Sequence, residues 1–252
     1  ADLAKFYVGI DAGWVYPIVA LLPMIVASAF GFANYAGTWL TLVLILDSIA
    51  FAFLVGWRRP RRPVAIGWWW IAFLLRLGPI TMGRIDSISI PIGIVAVLLI
   101  ASRPRLAAFL LTVATWINLW PAAVIAAVVV SSSSRVRVAV TAVVTSANVI
   151  GAALLLGSGG NVFSFVTKQT GRGLQVESPV STIWMWMSFV HVSGAFPYYD
   201  PDINTYQVGG PGSYVVSELM TPILGLVVVA VVLLGSVAAY RHTPVTELLA
   251  PL

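Results

Sequence analysis

Residues 36–55 form a run of twenty positions with one ionisable side chain, Asp47. A helix of about 20 apolar residues covers the ~30 Å hydrocarbon core of a bilayer. Comparable runs recur at 15–32, 138–156 and 223–240, with shorter ones at 64–77 and 88–100. Only 9% of the 252 residues are charged, whereas a soluble domain carries about a quarter. Such a chain lacks the polar residues to cover one water-exposed surface. The pattern predicts an all-α integral membrane protein: a polytopic helix bundle with several short or broken helices and an outer-face loop region.

The arginines set the expected orientation. Arg58, Arg59, Arg61 and Arg62 cluster in "GWRRPRRP", Arg103 and Arg105 in "SRPR", and Arg135 and Arg137 in "SSSSRVR". Basic residues at span ends mark cytoplasmic loops. Residues 64–77 are only 14 positions, or roughly 21 Å of helix, so this segment is expected to end at a cavity or in a thinned bilayer. Residues 106–130 stay open between two arrangements. They form either one crossing kinked at Pro121 or two short helices that turn at "NLWP", from Asn118 to Pro121. The turn gives nine Lys/Arg inside and five outside, against eight and six for one crossing, so the positive-inside rule leans slightly toward the turn.

The chain reads as one transmembrane domain over 1–252, part of a longer protein, with 157–217 a mostly non-cytoplasmic loop region. In the turning arrangement seven of nine acids fall outside: Asp2, Asp11, Asp86, Glu177, Asp200, Asp202 and Glu218. Acids barely steer insertion, so polar work is expected on that face. There is no cysteine, and His191 and His242 lie far apart, which excludes disulfides and argues against a histidine metal cluster. The net charge of +5 sits in arginines that flank spans, a membrane pattern rather than a nucleic-acid one.

Several polar insertions are candidates for chemistry. In "DAGWVYP", Asp11 precedes an aromatic pair and a proline. Interfacial anchoring explains this stretch, and so does a cleft containing Asp11. In "RLGPITMGRID", Arg84 and Asp86 form either a local ion pair or part of an anion site, for which a guanidinium fork is suited. In "GRGLQVES", Ser178 and Pro179 read as a helix cap. That role leaves Arg172, Gln175 and Glu177 unexplained. They suit anion, hydroxyl and proton contacts respectively. The Asp-x-Asp of "YDPD" is a weak, three-residue match to metal sites, and its proline and tyrosines suit a turn. Asp47 costs about 2.5–3.5 kcal/mol at mid-bilayer and is expected to face the bundle interior. The three tryptophans at 68–70 read as interfacial or packing residues.

The stretches "WVYPIVALLPM", "LRLGPITMGRIDSISIPIGIVAVLL", "ATWINLWPAAVIAA" and "RGLQVESPVST" occur in an order that resembles actinobacterial integral-membrane glycosyltransferases of family 87. These are similar to polyprenyl-phosphate-mannose-dependent mannosyltransferases of the C-type fold. The resemblance runs from about Asp11 to about Glu247. It implies an outer-face active site, a lipid-linked donor arriving from the bilayer, and inversion at the anomeric carbon. It implies a carboxylate base in the first outer loop, with Asp2 as candidate and Asp11 as fallback. Arg84 and Arg172 would contact the donor phosphate. Asp86, Asn118, Gln175 and Glu177 would contact substrates, Asn118 standing where many relatives have lysine. The implied partners are a polyprenyl-phosphate sugar donor, a glycolipid or glycan acceptor and membrane lipids, with no nucleic acid. No cofactor is expected and no metal ligand set is assigned, a divalent cation being left open. A transporter or flippase is the rival reading. It would need midplane binding groups and an inverted repeat, and Asp47 is the only clear midplane charge.

Overall fold

The computed structural model describes residues 8–56, 64–168, 173–201 and 205–240. Eleven α-helices lie among them. In chain order these are α1 (Leu21–Ala27), α2 (Tyr35–Val55), α3 (Val64–Leu77), α4 (Pro79–Gly83), α5 (Asp86–Leu99), α6 (Pro104–Ile117), α7 (Pro121–Ser131), α8 (Arg135–Leu155), α9 (Ser164–Thr167), α10 (Thr182–Phe189) and α11 (Ser213–Tyr240). A small antiparallel sheet of β1 (Leu174–Gln175), β2 (Phe196–Asp200) and β3 (Thr205–Gly209) is ordered β1-β3-β2. Among the described residues three helices are long and apolar enough to cross a bilayer: Phe32–Val55, Arg135–Leu155 and Ser213–Val237.

The apolar run at 15–32 is not one span. It forms a 3-10 turn at Ile18–Ala20, then the seven residues of α1, and stops. Proline and glycine explain the break. Pro23 lies in the first turn of α1, where its missing N–H does no harm. Downstream the chain turns at Gly31, which takes φ +85°, a conformation that disfavours side-chain-bearing residues. The last span also differs from its sequence boundary. α11 starts at Ser213, ten residues before 223, with Pro222 inside it. Pro179 begins a 3-10 turn with Ser178 at the N-cap position, but the Ser178 hydroxyl makes no capping bond. The Ser181 hydroxyl instead donates to the carbonyls of Val176 and Ser178, at 2.8 and 2.6 Å.

The ambiguous stretch at 106–130 resolves as the turn. α6 ends at Ile117, Asn118 is extended at φ −149° and ψ 136°, and α7 starts at Pro121. Ala108 near the start of α6 clusters with Val128 near the end of α7 and with Val138 on α8. α7 therefore folds back along α6. Proline at the first position of each helix suits a start, since its N–H would be unpaired there anyway.

α5 is the hub, packed between α2 and α6. Its buried positions are small or compact: Ser87, Ile88, Ser89, Pro91, Gly93 and Ala96. Small residues let helices approach closely where lipid offers no hydrophobic drive. At Gly93 a Cβ would lie 2.9 Å from Cη2 of Trp120. The Trp120 indole N–H donates to the Ser89 hydroxyl at 3.1 Å, locking the α6–α7 turn onto α5. On α2, Val43 and Ala50 are fully buried. Asp47 shares their helical face and is half-buried, as its cost in lipid requires. Trp70 is buried while Trp68 and Trp69 stay exposed.

Candidate functional site

Three interruptions of regular structure meet at one place. The first is the break between α4 and α5. Arg84 is extended there, at φ −88° and ψ 155°, and Asp86 opens α5, where the helix dipole favours a carboxylate. The break is held from two sides. The Trp39 indole N–H of α2 donates to the Met82 carbonyl at 2.8 Å. The Ser87 hydroxyl donates to the Arg84 carbonyl at 2.6 Å.

The second interruption is the α6–α7 turn. Its Asn118 side-chain amide donates to Asp86 Oδ1 at 2.7 Å. The third is the turn after β1, closed by the Ser178 N–H onto the Gln175 carbonyl at 2.9 Å. Glu177 lies in that turn, and its Oε1 accepts from Arg84 Nη1 at 3.3 Å across 93 residues of sequence. Arg84 Nε also lies 3.6 Å from Asp86 Oδ2. One guanidinium thus sits between two carboxylates, with Asn118 holding the far oxygen of one. Arg84, Asp86 and Glu177 are all partly exposed, so the cluster can meet a ligand. A guanidinium carries five N–H donors, and these contacts leave some of them for an anion.

Four of the sequence-selected residues are therefore gathered: Arg84, Asp86, Asn118 and Glu177. Gln175 stands two residues away on β1, half-buried and paired in register with Gln207. Asp11 is exposed, on the loop before α1. That loop is pinned to the segment after α8. Asn161 donates to the Ile10 carbonyl at 2.8 Å, and the Trp14 N–H donates to Ser164 Oγ at the same distance. Trp14 and Tyr16 pack against a cluster containing Ile85, Ile88 and Ile117, neighbours in sequence of Arg84, Asp86 and Asn118. Asp2 and Arg172 lie outside the described residues, as does Asp202 of the Asp-x-Asp pair.

The sequence reading missed a second polar group on the hairpin. Gln207 is 2% exposed. Its amide nitrogen donates to Asp200 Oδ2 at 2.6 Å, and its oxygen accepts from the Tyr198 hydroxyl at 3.2 Å. The available signal was the polar residue inside "TYQVG" facing "PYYD" across a turn. It identifies a hairpin but not which glutamine points inward.

The sequence profile of glycosyltransferase family 87 matches residues 14–252. The chain belongs to glycosyltransferase family 87. No curated protein and no solved structure matches it significantly. Family 87 membership makes the chain a membrane glycosyltransferase, so its partners are a sugar donor and an acceptor. Within this family 87 chain, the Arg84–Asp86–Asn118–Glu177 cluster stands out for gathering polar side chains from breaks in otherwise apolar helices. Among the described residues no group of three or more His, Asp or Glu side chains converges. That bears on a protein-made metal cage, not on a cation carried by a phosphate.

Proposed function

We propose that this chain transfers a sugar, with mannose the first choice, from a polyprenyl-phosphate donor to a cell-envelope glycolipid or glycan. The observation that carries the reading is the convergence of Arg84, Asp86, Asn118 and Glu177 in a family 87 chain. Partly exposed ion pairs add little to stability, so packing alone does not account for these charges being gathered at helix breaks.

The chemistry follows from the groups. A carboxylate, Asp11 in the loop before α1 or Asp2 upstream in sequence, takes the proton of the acceptor hydroxyl. The acceptor oxygen attacks the anomeric carbon. The bond from that carbon to the phosphate oxygen breaks on the opposite side, inverting the centre. The polyprenyl phosphate departs with the electron pair. Arg84 stabilises the growing negative charge, and Arg172 is a second candidate for that role. Asp86 and Asn118 keep the guanidinium aimed. We assign the reaction to the non-cytoplasmic face of a multi-pass protein, on the strength of the arginine and acid distributions.

The test uses the full-length parent in membranes with radiolabelled polyprenyl-phosphate mannose and a cell-envelope lipid extract. Label is expected in an extractable glycolipid or glycan, and Arg84→Ala is expected to lose most of it. A chelator arm reads the cation requirement. Folded parent that moves no label to any acceptor contradicts the reading. Label crossing the bilayer without transfer makes the protein a flippase instead.

A further inference from the structure

The small sheet has two unlike faces. Register places Leu174 against Val208, and both join Trp184 in a buried apolar cluster. The alternate positions form the other face. There Gln175, Gln207 and Tyr198 stand in one cross-strand row, with Asp200 and Phe196 at its two sides. Strand residues alternate between faces, so this row shares one surface. Gln207 is buried and held by Tyr198 and Asp200. Gly173, just before β1, has no side chain to intrude, and a Cβ there would collide with Gln207 Oε1. The outer part of the row is open. Phe196 is 53% exposed and its ring lies over Gly209, while its centroid is 5.9 Å from that of Tyr198.

We propose that this face is a binding subsite for a pyranose ring of the acceptor. Two adjacent exposed rings offer a surface on which the C–H face of a sugar can stack. The half-buried Gln175 amide supplies both a donor and an acceptor for hydroxyls, and the Tyr198 oxygen adds another polar atom. Phe196, Tyr198, Gln175 and Gln207 are uncharged, which suits a neutral sugar better than a phosphate. β1 leads directly into the turn that carries Glu177, two residues after Gln175, and Glu177 contacts Arg84. The identity of the occupant rests on the transferase reading. The exposed Tyr199 and Tyr206 pair, 5.2 Å between ring centroids, lies on the opposite face and is outside the subsite.

Saturation-transfer NMR on the full-length protein in nanodiscs tests this with methyl glycosides of mannose, glucose, galactose and arabinose. Saturation of at least one glycoside is expected. It should fall about fivefold in Phe196→Ala, return in Phe196→Tyr, and be unchanged in Tyr199→Ala. No saturation from any glycoside, or equal loss in Phe196→Ala and Tyr199→Ala, overturns the subsite. The transfer assay is read separately. If label is transferred but Phe196→Ala keeps both its NMR signal and its acceptor KM, the subsite is wrong and the transferase stands. If glycoside binds with the expected variant pattern but no label is transferred, the subsite stands and the transferase reading falls.

Discussion

α5 and α11 are both apolar helices, and they do opposite things. In 14 residues α5 buries six positions and begins at the candidate site. In 28 residues α11 presents none of its spanning window to the protein interior. Every residue from Thr221 to Leu234 is exposed, as expected for contact with lipid or with further protein, and only near its start do Val216 and Met220 pack on the Leu174–Trp184–Val208 cluster. α5 is too short to cross a standard bilayer and carries serine, proline and glycine inside. Length and apolarity mark the spans. Brevity and small residues mark the helix whose polar N-terminal end meets the other breaks.

The comparison is most exposed at the head of α5. Arg84→Gln should lower kcat/KM for transfer about 100-fold, the usual cost of losing one preorganised charge contact. A loss under threefold would place the chemistry elsewhere. The next effect is on stability. Gly93→Val should destabilise the protein by about 1–3 kcal/mol through its clash with Trp120. Gly225→Val in α11, with no described atom within 4 Å of its Cβ position, should change little. Thermal unfolding in one detergent reads both, and equal shifts would erase the distinction. Asn118→Ala should cost about tenfold in kcat/KM, because Asp86 Oδ1 loses its amide donor. Unchanged kinetics would make that bond ornamental to function. Smallest of all, Leu226→Ala on α11 should move stability by less than about 0.5 kcal/mol.

Much of this contrast is legible in the sequence. The bounds of α3 matched residues 64–77 because apolar side chains stop where arginine and Gly78-Pro79 begin. The "NLWP" turn was one of two readings of its stretch, since a proline after an apolar run marks both a kink and a start. The first span was drawn too long, because hydropathy persists through Phe30 and Phe32 while the backbone has already turned at Gly31. α11 was drawn too short, because Ser217 and Glu218 interrupt the apolar run without interrupting the helix. At the site, "GRID", "NLWP" and "QVES" were each visible as polar inserts. Their meeting was not, since nothing local links Arg84 to a glutamate 93 residues on. The inward glutamine of β3 was invisible for a related reason: burial of Gln207 depends on Gly173, which leads into another strand.

The central claim is that separate breaks form one working unit. A double-mutant cycle on transfer kcat/KM, with Arg84→Gln, Asn118→Ala and their combination, measures it directly. Asp86 joins the two residues, so the account predicts a coupling of about 1 kcal/mol or more. Strictly additive losses would mean that Arg84 and Asn118 act in unconnected places, and the shared site would be contradicted.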